Sequence, residues 1–328
     1  LKFKRIKLGD EAHLAVEHNQ RWYRIDRLPD LCLGQETLLD LLRDWPEWRP
    51  KFQAALASQN SEGAEIHSKT QTCLPFTPLS LRDFMLSETH AVNAARGFVK
   101  HFMAKVLPVI KAFEGVTKAP FPALKPKAIW YRQPIYYFSN HLNMATEGNL
   151  IHWPSYTNYL DYELELAFVL AKPLFNATPK QAIDAIGGFM VLNDFSARDV
   201  QLEEMRSGFG PQKSKHFINA MSDTVVTADE VVPYINNLQA EVRINGRTVS
   251  HSTTADFQHS IVDILVHASR DERLHPGEVF ATGTLPNGCA MENDHWLKPG
   301  DSIELWIERV GSLSNTISSL NSDGKPNE

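Results

Sequence analysis

The residues best suited to chemistry gather between Leu160 and Gln201. Glu163 and Glu165 alternate with Tyr162, Leu164 and Leu166. Side chains of a strand repeat with a period of two, so both carboxylates point to one face, about 7 Å apart along the chain. Apolar neighbours (Leu160, Leu164, Leu166, Phe168, Val169 and Leu170) mark this strand as interior. Two carboxylates side by side in a core repel each other and lose hydration worth several kcal/mol per ion. They are therefore either protonated or share a cation. A second apolar strand, 188–192, ends on Asn193-Asp194 and brings a third acid. Three oxygen donors with no nearby Cys or His favour a hard ion, Mg²⁺ or Ca²⁺, over zinc. A bare Glu-x-Glu is equally the mark of a solvated sheet face.

Other residues are bland one by one. Asp83 lies in a short apolar segment, and His90 opens a helical pattern carrying Val92, Ala95, Phe98, Val99 and Phe102. Solvation or helix capping is the ordinary explanation of either. His259, Asp263 and His267 stand at i, i+4 and i+8, a zinc face or, more ordinarily, a solvated stripe. Gly210-Pro211-Gln212-Lys213-Ser214 lacks the spacing of a phosphate loop, and no G-x-S-x-G occurs.

Taken jointly the motifs are more specific. Glu163-Leu164-Glu165 followed by Asn193-Asp194-Phe195-Ser196-Ala197-Arg198-Asp199 resembles the metal site of the fumarylacetoacetate hydrolase family. Asp83-Phe84 with His90 upstream, and strand-Thr-Gly-Thr with LKPGD and IERVGSLSN downstream, extend the resemblance from Leu81 to Ile317 in family order. It implies an α+β, β-rich fold: a mixed β-roll or sandwich with peripheral helices and a small N-terminal module. It implies that Asp83, Glu163, Glu165 and Asp194 hold Mg²⁺, with Ca²⁺ or Mn²⁺ as alternatives. His90 becomes the general base, Glu292 its acid partner, and Lys213 the cation that meets substrate. Tyr137, Gln201 and Thr284 fall at substrate-contacting positions, although an aromatic core strand or a solvated loop explains Tyr137 and Gln201 equally well. Arg198 braces the carboxylates from behind.

The implied activity is metal-dependent hydrolysis of a C–C bond in a β-diketo acid, an acylpyruvate or fumarylacetoacetate-like compound, through a metal-stabilised enolate. Decarboxylation, isomerisation or hydration of a 2-oxo acid on the same platform is the alternative. The resemblance further implies a cytoplasmic homodimer in the catabolism of aromatic compounds. Glu203 and Met205 replace the usual Trp and Tyr in a segment one residue shorter than in fumarylacetoacetase, which leaves the substrate open.

The elements that must position these residues follow from periodicity. KFKRIKL, HLAVEH and RWYRI predict a β-meander, then a helix from Glu36 broken by Pro46 and a second over 47–57. Residues 111–126 are expected to be irregular and to hold the main boundary, and the aromatic-rich stretch from Ala128 to be strand-like. The chain is expected to turn irregular after Gln201. Asn245-Gly246 predicts a type I′ hairpin, and a helix is expected over 257–269. The chain divides as 1–72 (meander plus helices), 73–120 (a helical connection with Asp83 and His90), 121–319 (the catalytic domain) and 320–328 (a flexible tail).

At 328 residues and a formal net charge of -6, the chain lacks the basic balance of a nucleic-acid binder. Cys32, Cys73 and Cys289 form neither a disulfide framework nor a CxxC site and suit a reducing compartment. No apolar run approaches a bilayer span, and the charged N-terminus is not a secretory signal. A small-molecule partner remains, with neither nucleic acid nor membrane expected.

Overall fold

The computed structural model describes residues 1–29, 31, 33–34, 36–58, 63–66 and 70–319. Cys32 and the tail 320–328 lie outside the described residues. Two adjacent antiparallel strands, Leu164–Leu170 and Ile186–Asn193, form the middle of a twelve-stranded sheet and are buried at every position. A helix, Pro179–Ala185, joins them, opened by a capping box between Thr178 and Gln181. The path continues from Leu164–Leu170 to Glu278–Thr284, Ser80–Phe84 and the edge strand Tyr136–Ser139.

Strand alternation divides the core. Leu164, Leu166, Phe168 and Leu170 pack with Ile303, Leu305, Ile307 and Leu313 of a second, five-stranded sheet. Ala167, Val169 and Ala171 face the other way, toward Leu38, Leu41, Leu42, Trp45 and Phe52. Each such large apolar side chain is worth roughly 1.5–3 kcal/mol when fully buried. The two central strands are thus clamped between a sheet and a helical layer, a rigid base for polar groups at their ends. The α+β, sheet-rich class expected from the sequence is the one observed.

The meander strands Lys2–Leu8, Glu11–His18 and Arg21–Arg24 extend the large sheet, because Lys2–Leu8 pairs with Thr224–Thr227. Several local expectations needed correction. Pro46 sits in the first turn of the helix Trp45–Ala57, where its missing N–H is no loss. Pro108 does the same for Leu107–Thr117, so residues 111–117 are helical rather than irregular. Trp130 belongs to a short helix, Ala128–Arg132, ahead of the edge strand. The chain stays helical past Gln201, over Arg198–Arg206. The hairpin at Asn245-Gly246 is as expected, with φ of 51° and 74° at its two turn residues. The helix expected over 257–269 is shorter, Ile261–Ala268, because Ser260 caps it in a box with Asp263. No helix among the described residues is long and apolar enough to cross a membrane.

Candidate active site

Sheet register brings the acids together. Glu165 pairs with Thr284, Ala281 with Asp83, and Asp83 with Tyr137, while Asp194 follows directly on the strand Ile186–Asn193. Gly283 permits this crowding: its φ is +78°, and a Cβ there would lie 2.3 Å from the Phe84 carbonyl oxygen. Asp83, Glu165 and Asp194 each present a carboxylate oxygen within 4.8 Å of the others. Asp83 Oδ1, Glu165 Oε2 and Asp194 Oδ1 are buried with no hydrogen-bond partner. An orphaned buried acceptor costs about 1–3 kcal/mol. Burial, reinforced by the neighbouring acids, pushes the Asp83 and Glu165 carboxyls well above the usual carboxylate range. Asp194 is also raised by burial, against the opposing pull of Lys215. Three unsatisfied, mutually repelling oxygens fit a hard divalent cation, which would satisfy all of them at once.

Glu163 is treated differently. It immediately precedes the strand Leu164–Leu170, and Asn193 Oδ1 accepts its backbone N–H at 2.9 Å. Lys215 Nζ donates to Glu163 Oε2 at 2.5 Å and to Asp194 Oδ2 at 2.6 Å. Arg198 Nη2 lies 2.7 Å from Glu163 Oε1. Burial works against the ionised form, but the Lys215 ammonium and the Arg198 guanidinium outweigh it and hold Glu163 well below the ordinary range. Both Glu163 oxygens therefore face protein cations, and the set of mutually close acids with orphaned oxygens is Asp83, Glu165 and Asp194.

His90 stands in the first turn of the helix Glu88–Phe102, where Ser87 Oγ accepts its backbone N–H at 2.9 Å. Its Nδ1 lies 2.8 Å from Glu292 Oε2, and the Glu292 side chain is fully enclosed. A carboxylate only accepts, so Nδ1 carries the proton and Nε2 is left as a base. Glu292 Oε1 accepts from Asn287 N at 3.1 Å. The helix and the Glu292 turn touch at Gly97, where a Cβ would meet the Met291 carbonyl oxygen at 2.0 Å.

Residues 116–318 match the family model described as fumarylacetoacetate (FAA) hydrolase C-terminal. The chain belongs to the fumarylacetoacetate hydrolase family. It is 30% identical over 187 residues to a protein of Xenopus laevis named oxaloacetate tautomerase fahd2, mitochondrial, covering 57% of this chain and 58% of that one. It is 32% identical over 164 residues to the 4-hydroxyphenylacetate degradation bifunctional isomerase/decarboxylase of Escherichia coli, covering 50% of this chain and 36% of that one. The matched part thus spans less than two thirds of either relative. The solved fumarylacetoacetate hydrolase of Exiguobacterium antarcticum shares the fold, with a TM-score of 0.68 at 21% identity over 97% of this chain and 99% of that chain.

Within this fumarylacetoacetate hydrolase fold the remaining expected residues can be located. Tyr137 Oη donates to Asp194 Oδ2 at 2.6 Å, and burial beside Asp194 and Asp83 raises the phenol well above its usual range. Thr284 Oγ1 lies 3.4 Å from Glu165 Oε1. Gln201 Oε1 accepts from Arg198 Nη1 at 2.9 Å. Lys213 is elsewhere: it is exposed, with Nζ 5.3 Å from the centre of the Tyr156 ring. The lysine among the carboxylates is Lys215, 2% exposed. Lys213-Ser214-Lys215 offered both, and only the course of the loop separates them. That loop is gathered onto Glu204, which accepts the backbone N–H groups of Gln212, Lys213 and Ser214. The proposed zinc face does not assemble. His259 precedes its helix and binds the Trp130 carbonyl at 2.8 Å, and Asp263 is spent in the cap. Asp161 and Cys289, both wholly buried beside the site, carried no sequence signal.

Proposed function

We propose that the chain is a divalent-metal-dependent enzyme that hydrolyses a C–C bond in a β-diketo acid of the acylpyruvate or fumarylacetoacetate type. The observation that carries this reading is the enclosed His90–Glu292 pair, 2.8 Å apart. A divalent ion (Mg²⁺, with Ca²⁺ or Mn²⁺ as alternatives) held by Asp83, Glu165 and Asp194 would supply a Lewis acid for the oxygens of a 2-oxo acid. His90 Nε2 takes a proton from water, and Glu292 steadies the resulting imidazolium through Nδ1. The hydroxide oxygen bonds to the distal ketone carbon. The C–C bond then breaks with its electron pair going to the 2-oxo acid fragment as an enolate. The buried ammonium of Lys215 offsets the charge that develops there, and the proton held on His90 Nε2 returns to the enolate carbon, which completes the products and restores the base. Tyr137 and Thr284 contact the carboxylates of Asp194 and Glu165 and would orient the substrate.

The names of the two sequence relatives favour a second reading, isomerisation, tautomerisation or decarboxylation of a 2-oxo acid, none of which needs attack by water. A panel of acylpyruvates and oxaloacetate assayed in ¹⁸O-water separates the two. Hydrolysis puts ¹⁸O into the carboxylic acid product, and His90→Ala should slow it by about 10²–10⁴-fold. Full hydrolysis by a metal-loaded His90→Ala variant would remove His90 from the mechanism, and turnover of oxaloacetate alone would sink the hydrolase reading. We also propose a homodimer, because Phe138 is 52% exposed on the edge strand Tyr136–Ser139. A stable monomer in sedimentation at micromolar concentration would count against it.

A further inference from the structure

Asp161 is wholly buried, and its two oxygens take four donors. Oδ1 accepts from Tyr162 N and Ala290 N, each at 2.8 Å. Oδ2 accepts from Met291 N at 3.1 Å and from Arg198 Nε at 2.7 Å. Ala290 and Met291 open the single-turn helix Ala290–Asn293, whose own N-cap residue, Cys289, makes no side-chain cap. The first N–H groups of a helix have no partner within it and need an outside acceptor. Asp161 is that acceptor, 129 positions away in sequence.

The capped turn carries Glu292. On the other side, Arg198 reaches from Asp161 to Glu163 Oε1. One chain of charged contacts therefore runs from the acid set through Glu163, Arg198 and Asp161 to the turn that faces His90. We propose that Asp161 is a positioning residue, setting Glu292 against His90 and, through Arg198, holding that pair in register with the carboxylates. The inference rests on the His90–Glu292 reading given above. Asp161 touches no reacting atom. Its action is to fix the height and rotation of a turn too short to hold itself.

The test uses the full chain loaded with Mg²⁺, an acylpyruvate as substrate, and the variants Asp161→Asn, Glu292→Gln and both together. Asn replaces one acceptor oxygen by a donor, which then opposes both Met291 N–H and Arg198 Nε or, in the other orientation, both Tyr162 N–H and Ala290 N–H. We expect kcat to fall by about 10–100-fold with KM within about threefold, and the double variant to be no slower than Glu292→Gln alone, as for residues acting as a unit. Losses that multiply in the double variant would show that Asp161 acts elsewhere and overturn the proposal. The second readout is the downfield Nδ1–H proton of His90, assigned by its loss in His90→Ala. It should disappear in Asp161→Asn, and its retention would overturn the proposal whatever the rates. If Glu292→Gln proves as active as the parent, the catalytic reading of the pair fails. The Nδ1–H signal then decides the positioning claim by itself. Should Asp161→Asn not fold, Ala290→Pro removes one donor to Asp161 at a first helical position that tolerates proline. Cys289 before it is already extended, with φ -140° and ψ 159°. It should weaken the same signal and lower kcat in the same direction, and an unchanged signal would again overturn the proposal.

Discussion

Lys215→Met offers the sharpest check on the electrostatics of the site. Methionine keeps most of the buried stem and deletes the ammonium that bonds Glu163 at 2.5 Å and Asp194 at 2.6 Å. Removing one partner of a buried ion pair costs about 3–5 kcal/mol. Here protonation limits the loss. Lys215 is the largest influence holding Glu163 ionised, so protonating Glu163 is one way the variant relieves the lost pairing. At pH 7, protonating a carboxyl of ordinary pKa, about 4.3, costs about 3.7 kcal/mol, and at pH 5.5 about 1.6 kcal/mol. The sign follows from linkage. A depressed folded-state pKa contributes stability above the unfolded value and loses it as pH falls through the folded one. The parent therefore keeps the Glu163 contribution throughout this range, while the variant's deficit shrinks toward acid. With an unfolding entropy of about 2.1 cal/mol/K per residue, each kcal/mol moves the Tm of a chain this long by about 1.5 °C. The metal-free variant should melt about 5 °C lower than the parent at pH 7 and about 2–3 °C lower at pH 5.5, by calorimetry in matched buffers. A deficit independent of pH would mean that only packing was lost, and no deficit would refute Lys215 as the counter-ion of Glu163.

Four further outcomes are expected. Because burial raises Asp83 and Glu165, protons compete with a cation for the acid set. Mg²⁺ affinity by titration calorimetry should therefore rise with pH, by up to about tenfold per unit for each proton displaced. The same raised values make the metal-free protein less stable as pH climbs above the ordinary carboxylate range, so Mg²⁺ should raise Tm more at pH 8 than at pH 6, and an equal gain would contradict the assignment. Gly97→Ala forces the His90 helix off the Met291 carbonyl; it should cost about 1–3 kcal/mol of stability and lower kcat, and a fully active variant would mean that this contact does not set the pair. Lys213→Ala should change kcat/KM by less than about threefold, since an exposed cation–π contact is worth about 0.5–1 kcal/mol; a hundredfold loss would restore Lys213 as the substrate cation.

What the sequence determined by itself is the chemistry that local periodicity encodes. A period of two puts Glu163 and Glu165 on one face, and an unbroken apolar run ending in Asn193-Asp194 sets a third acid at the end of a strand buried on both sides. Asn245-Gly246 dictates its turn through two positive φ values, which only a few residue types accept. Family resemblance drew Asp83 and His90, each bland in isolation, into the same reading. Proline misled where position rather than presence decides. Pro46 lies in the first turn of the second helix rather than ahead of it, because an N–H missing from a first turn is never needed there. Tertiary structure alone decided between Lys213 and Lys215, two residues apart and identical in chemistry, by gathering the loop onto Glu204 and aiming one ammonium inward. It alone placed Asp161 beneath a turn 129 positions away. Such partners are chosen by which backbone donors packing leaves unpaired, and that is a property of the assembled core rather than of any stretch of chain.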